Sequence, residues 1–218
     1  MKVMLKKSFS NNQEGDNDLV ATLAYVAEIK EWDNRAHLFR TRAYCQLLCV
    51  GMNIPRNESE TIAIASQLHD VGKCTMPDEL MQCKGEYKAS EWVTVENHTQ
   101  VGGLILRGSP SPIFQLAAVI AENHHERWDG SGYPKKLRGE KIPLVARIYA
   151  VADTLDALTT PRTYKVTMDD QEAYNLIVKC DGILFDPKVI TVFKNKYAEI
   201  LKIKNISPGK NPSSIYKD

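Results

Sequence analysis

Apolar positions recur at helical spacing through most of the chain, and two-residue alternation is scarce. Leu19, Leu23, Val26 and Ile29 stand roughly one turn apart, which predicts a helix over 19–30. Leu38, Tyr44, Leu47 and Leu48 predict a second over 34–50, closed by Gly51. The stretch ESETIAIASQLHDVGK predicts a helix N-capped by Asn57 or Ser59 and ending near Gly72. Further helices are expected over 88–106 and 112–125. Pro143 suits the first turn of a helix running to about Leu158, and two last helices cover 169–180 and 186–203. The polar, Asn-rich start reads as a loosely ordered leader over 1–18, and the Pro- and Ser-containing end as a flexible tail over 204–218. No internal repeat stands out. The expected fold is all-α: a single-domain helical bundle over 19–203.

Composition narrows the class. A chain of 218 residues with 43% hydrophobic and 25% charged side chains can bury a core without staples. The net charge of +1 provides no basic field for a nucleic-acid polymer. Five cysteines, an odd number without a CxxC pair, fit reduced thiols and a cytoplasmic setting. The start lacks the apolar core of a signal peptide, and no apolar run is long enough for a membrane span.

The chemistry lies in the histidines. A lone histidine is usually structural, but the five here keep suggestive company. His69 precedes Asp70 in LHDVGK; His37 follows Asp33 by one helical turn; His98 sits inside a helical stretch; His124 and His125 close the 112–125 segment. In PLVARIYAVADTLDALTT, Leu144, Ile148, Val151 and Leu155 form an apolar stripe, and Ala146, Ala150, Asp153 and Ala157 lie opposite. Asp153 is then inside, where it must pair with an arginine or lysine of a neighbouring helix or hold a metal. Five imidazoles with Asp33, Asp70 and Asp153 make a nitrogen–oxygen donor set without thiolate, suited to Fe, Mn, Zn or Co over Mg and Ca. Eight donors exceed the needs of one tetrahedral ion, so two or more divalent ions are implied, with residual positive charge to attract a phosphate. Adjacent donors reach a common centre most easily where a helix gives out: His69–Asp70 precedes Gly72, and His124–His125 precedes a glycine-containing loop.

The motifs HDVGK (69–73), HHERWDGSGYP (124–134) and ARIYAVADTLDALTTPRTYK (146–165) resemble those of the HD-GYP family, a branch of the HD superfamily of metal-dependent phosphohydrolases. The resemblance covers about residues 19–195. It implies an all-helical fold of the HD superfamily type and hydrolysis of cyclic di-GMP through pGpG toward GMP. It also implies two divalent ions, Fe foremost and Mn as the other choice. One would take His37, His69 and Asp153, the other His98, His124 and His125, with Asp70 bridging. Members with a third metal carry Glu-Thr before the first histidine; Asp33-Asn34 stands there, so Asp33 is the candidate donor for a third ion. Lys73, Arg162 and Lys165 correspond to positions that hold substrate phosphate, and Tyr133 to the loop that names the family. After DALT the usual Ser-Asp-Arg-Pro-Tyr is replaced by TPRTY, which keeps the arginine and tyrosine. The leader is too short for a preceding receiver domain.

A metal centre also suits the reaction. A general base alone contributes roughly 10²–10⁴ in rate. Metal binding lowers the pKa of water from about 15.7 to about 7, worth about 12 kcal/mol at about 1.36 kcal/mol per unit. The expected nucleophile is a metal-bridging hydroxide, with Asp70 and Lys73 as the catalytic side chains and either Lys73 or a bound water protonating the leaving oxygen. The loop over 127–142 can wall the pocket, with Tyr133 either anchoring it or touching substrate or a partner, such as a GGDEF-type signalling protein. Two rival readings stand beside the enzyme: a catalytically weak cyclic-di-GMP-binding module, and a phosphodiesterase for another cyclic dinucleotide.

Overall fold

The computed structural model describes residues 13–27, 34–81, 83, 85–161 and 167–206. Among them are nine α-helices and no strand: α1 (Gln13–Ala27), α2 (Asn34–Gly51), α3 (Arg56–Ala65), the single turn α4 (Asp78–Met81), α5 (Ala89–Arg107), α6 (Pro112–Asn123), α7 (Leu144–Thr159), α8 (Asp170–Lys179) and α9 (Pro187–Lys204). The all-α expectation holds. Helix α2 runs through the middle, against α3, α7 and α9, while α5 and α6 form an antiparallel pair joined by a short turn. Tyr44 and Leu48 from α2, Ile120 from α6, Ile148 and Tyr149 from α7, and Ile190 and Phe193 from α9 fill the fully buried centre.

The last two helices begin as their sequences dictate. Asp169 accepts a hydrogen bond from the Gln171 amide, and Asp186 from the Lys188 amide ahead of Pro187. Elsewhere the boundaries differ from expectation for identifiable reasons. Helix α1 begins at Gln13, inside the stretch read as leader. Neither Asn57 nor Ser59 caps α3: Pro55 holds that position, and the buried Ser59 hydroxyl donates instead to the Ile54 carbonyl. Pro143 likewise precedes α7 rather than opening its first turn.

The largest departure concerns the helix expected to run to Gly72. It stops at Ala65, tightens into a 3₁₀ turn over Ser66–Leu68, and resumes as a second 3₁₀ segment over Val71–Thr75. His69 and Asp70 occupy the break. What holds this segment in place is Gly72. A Cβ there would lie 2.0 Å from the His98 carbonyl oxygen and 2.5 Å from the Gly102 nitrogen, so the 71–75 segment meets the backbone of α5 directly. That contact sets Asp70 against His98. Replacing Gly72 by alanine is therefore expected to force backbone apart, destabilising the protein by about 1–3 kcal/mol and lowering Tm by roughly 2–10 °C. Calorimetry checks this; an unchanged Tm would mean the two backbones part freely.

Candidate metal centre

Five elements deliver the side chains. His37 comes from α2, His69 and Asp70 from the break after α3, His98 from α5, His124 and His125 from the end of α6, and Asp153 from α7. Helix α6 stops at Asn123, two residues earlier than expected, which frees both adjacent imidazoles to turn toward one centre; their ring centroids are 4.0 Å apart. The rings continue as a chain, His124 lying 5.2 Å from His69 and 5.4 Å from His98, and His37 5.7 Å from His69.

The donors fall into two groups. Asp70, His98, His124 and His125 each offer an atom within 4.8 Å of the others, and so do His37, His69 and Asp153. No cysteine joins either group. Asp33, Arg162 and Lys165 lie outside the described residues.

Hydrogen bonding orients the rings. The Nδ1 atoms of His98, His124 and His69 face the carbonyls of Val95, Ala121 (2.9 Å) and Ser66 (3.2 Å), and that of His37 faces Asp156 Oδ2 at 2.8 Å. Carbonyl and carboxylate oxygens only accept, so each Nδ1 carries the proton and each neutral ring turns an Nε2 lone pair inward. The Tyr149 hydroxyl, 2.9 Å from His69 Nδ1, holds that ring from a second side.

Protonation is set to match. Burial, the dominant influence, pushes His69 and His125 toward the neutral form, well below the usual imidazole range for His125. For Asp70 burial works the other way, but His69 and Lys73 outweigh it and hold the carboxyl well below its ordinary range. Lys73 Nζ stands 2.6 Å from Asp70 Oδ2. Asp70 Oδ1, in contrast, is buried without a hydrogen-bond partner among the described residues, though it lies 3.2 Å from His98 Nε2 and 3.5 Å from His124 Nε2. An orphaned carboxylate oxygen facing two imidazole lone pairs is mutually repulsive unless a cation lies among them. Neutral imidazoles and ionised carboxylates are also the protonation states a metal requires. The residues fit a divalent metal centre.

Asp153 is less buried than its stripe implies, its side chain 21% exposed. The fully buried carboxylate of α7 is Asp156, which sequence reasoning missed. It makes the ion pair weighed for Asp153, with Arg40 of α2. Glu126 was missed too. Its buried carboxylate accepts the Lys135 amide at 2.7 Å and the Leu137 amide at 2.9 Å, folding the 127–142 loop back over α6. Gly132 enables the fold by having no side chain, since a Cβ would lie 2.4 Å from the His125 carbonyl. Tyr133 is thereby seated 4.7 Å from the His125 ring and 6.5 Å from that of His98, as a wall of the site.

A helical domain that gathers imidazoles and carboxylates from five elements into groups able to hold a divalent cation defines a class of metal-centred proteins, and the comparisons with known proteins agree. A family model described as HD domain matches residues 16–189, and the chain belongs to that family; its GYP signature puts it in the HD-GYP branch. The 3′3′-cGAMP-specific phosphodiesterase 2 of Vibrio cholerae is 36% identical over 90% of this chain and 38% of that protein. The cyclic di-GMP phosphodiesterase response regulator RpfG of Xanthomonas campestris is 36% identical over 91% of this chain and 53% of its own. A cyclic di-GMP phosphodiesterase of Thermotoga maritima is 34% identical over 85% and 50%. The chain thus spans about half or less of these relatives. Among solved structures, the cyclic GMP-AMP-specific phosphodiesterase V-cGAP3 of V. cholerae shares the fold with a TM-score of 0.66 at 16% identity, over 92% of this chain and 53% of that one. No helix of the described residues is long and apolar enough to cross a membrane.

Two outcomes follow. In the metal-free protein, unfolding lets His69 and His125 take up protons below about pH 6.5, whereas the fold resists this. The unfolded state then binds more protons, so stability falls on acidification from about pH 7 to 5. A further loss comes below about pH 4, as Asp70 protonates in the unfolded chain. Melting curves in chelator across this range check the sign; a flat profile from pH 7 to 5 would contradict it. Separately, Glu126→Gln leaves one loop amide facing an amide NH₂ and is expected to loosen the loop by about 1–3 kcal/mol. Faster tryptic cleavage at Lys135, Lys136 or Arg138 is the readout.

Proposed function

We propose that the protein is a cytoplasmic metal-dependent phosphodiesterase that hydrolyses cyclic di-GMP to pGpG, GMP or both. The observation that carries this is the paired donor set around the orphaned Asp70 oxygen. The five cysteines, none in a disulfide, support the compartment. The nitrogen–oxygen donors favour two ions of Fe or Mn, one held by His37, His69 and Asp153, the other by His98, His124 and His125, with Asp70 shared. Bound there, such ions supply Lewis acidity toward the phosphoryl oxygens and lower the pKa of water.

The chain's own side chains do the remaining work. Asp70 fixes the spacing of the two donor groups by offering one oxygen to the His69 and Lys73 side and the other to the His98 and His124 side. Lys73 carries a positive charge at the mouth of the site, where it opposes charge developing on a non-bridging phosphate oxygen. Tyr133 keeps its proton, because burial and then the nearby Asp70 charge raise its phenol, so it serves as a neutral donor beside the ring of His125. Arg162 and Lys165 complete the phosphate contacts in this reading. The ordered loop over 127–142 offers an outer face to a signalling partner of the GGDEF type.

A second substrate has a specific observation in its favour. A 3′3′-cGAMP-specific relative is as similar to this chain as the cyclic di-GMP enzymes are. Turnover of both dinucleotides, measured anaerobically with Fe²⁺ or Mn²⁺, decides between them. Asp70→Ala, with its helical circular dichroism intact, is expected to lose more than about a hundredfold in turnover, since both donor groups lose their shared carboxylate. Tight binding of cyclic di-GMP without turnover under any metal would instead make the chain a binding module.

A further inference from the structure

Behind the His37 ring lies a buried polar cluster that the reaction itself does not use. Asp156, on α7, is 1% exposed. One of its oxygens, Oδ2, accepts the His37 Nδ1 proton at 2.8 Å and an Arg40 Nη2 proton at 3.1 Å; the other accepts from Arg40 Nε. Arg40 Nη2 also donates to the Thr160 hydroxyl at 3.0 Å, at the residue that ends α7. Among the described residues these hydrogen bonds hold the guanidinium across the α2–α7 interface. His37 and Arg40 are three residues apart, on one face of α2, and Asp156 receives both.

From this geometry we infer that Arg40 is a positioning residue: by clamping the Asp156 carboxylate it fixes the tautomer and tilt of His37, and so the cation affinity of the His37, His69 and Asp153 group. The physical reason is the geometry of the fork. An imidazole whose Nδ1 donates to a fixed carboxylate presents a more basic Nε2 in one direction. A carboxylate buried this deeply keeps its charge and orientation only if its remaining lone pairs are paired, and a planar guanidinium gripping both oxygens does so where an ammonium cannot. The second oxygen of Asp156 would otherwise be free to rotate, carrying the ring with it. The inference rests on the reading that His37 binds a cation.

The test measures Mn²⁺ binding to the metal-stripped full chain by calorimetry, without substrate or turnover. Arg40→Lys keeps the charge, and with it the fold, but loses the fork. It is expected to weaken binding at one of the two sites about 10- to 100-fold, leaving the other unchanged. Asp156→Asn, which retains the shape, is expected to do the same, and Thr160→Val, which removes one anchor of the guanidinium, to do so by a smaller factor. His37→Ala is the control. If His37→Ala weakens one site while Arg40→Lys and Asp156→Asn bind Mn²⁺ as the parent does, the positioning role is overturned and the metal reading stands. If His37→Ala itself leaves both affinities unchanged, both ideas are overturned together.

Discussion

Asp70 is 7% exposed and ionised, and the surrounding architecture can be understood as the means of keeping it so. Burying a carboxylate carries a desolvation penalty of several kcal/mol, and only close positive charge and hydrogen-bond donors offset it. Lys73 donates to one oxygen, with the His69 Nε2 lone pair beside it; the other faces His98 and His124, and a cation among these atoms resolves the contact. To place that carboxylate the chain abandons regular helix at Ala65. In an unbroken helix His69 and Asp70 would diverge by about 100°. Two 3₁₀ segments bring both side chains to the same pocket instead, and Gly72 allows the second segment to rest on the backbone of α5. The early end of α6 is the same device repeated, releasing His124 and His125 together.

What sequence reasoning could see follows from range. The helices were legible because their apolar spacing is local, and the histidines because an HD dyad and a GYP signature occupy consecutive residues. Of the eight donors named from the sequence, seven lie together in the two groups, and Asp33 falls outside the described residues. The supporting residues were not legible. Asp156 and Arg40 are separated by 116 positions, and Tyr149 and His69 by 80, so no window along the chain connects them. Asp156 did carry a faint signal: it follows Tyr149 by seven residues and Ala152 by four, on a face with no room for a charge unless something meets it. The break after Ala65 was hidden because its cause, the Gly72 contact, lies on another helix. Glu126 was obscured by its setting among residues with more obvious chemistry.

Exposure across the site is uneven. His69, His98 and His124 are almost wholly enclosed, as are Asp156 and Tyr149 behind them. Lys73, His125, Tyr133 and Asp153 are only half-buried. Solvent therefore reaches the site at an ammonium, an imidazole, a phenol and a carboxylate. On the sealed side, ordered hydrogen bonds to backbone carbonyls and Asp156 resist movement, as a preorganised donor set requires. The loop over 127–142, which carries Tyr133, is pinned by Glu126. Lys73 offers an ammonium and Tyr133 a phenol that keeps its proton, a pair suited to an anion bearing hydrogen-bond acceptors. The division between enclosed rings hydrogen-bonded from behind and half-buried polar groups follows from where each helix ends.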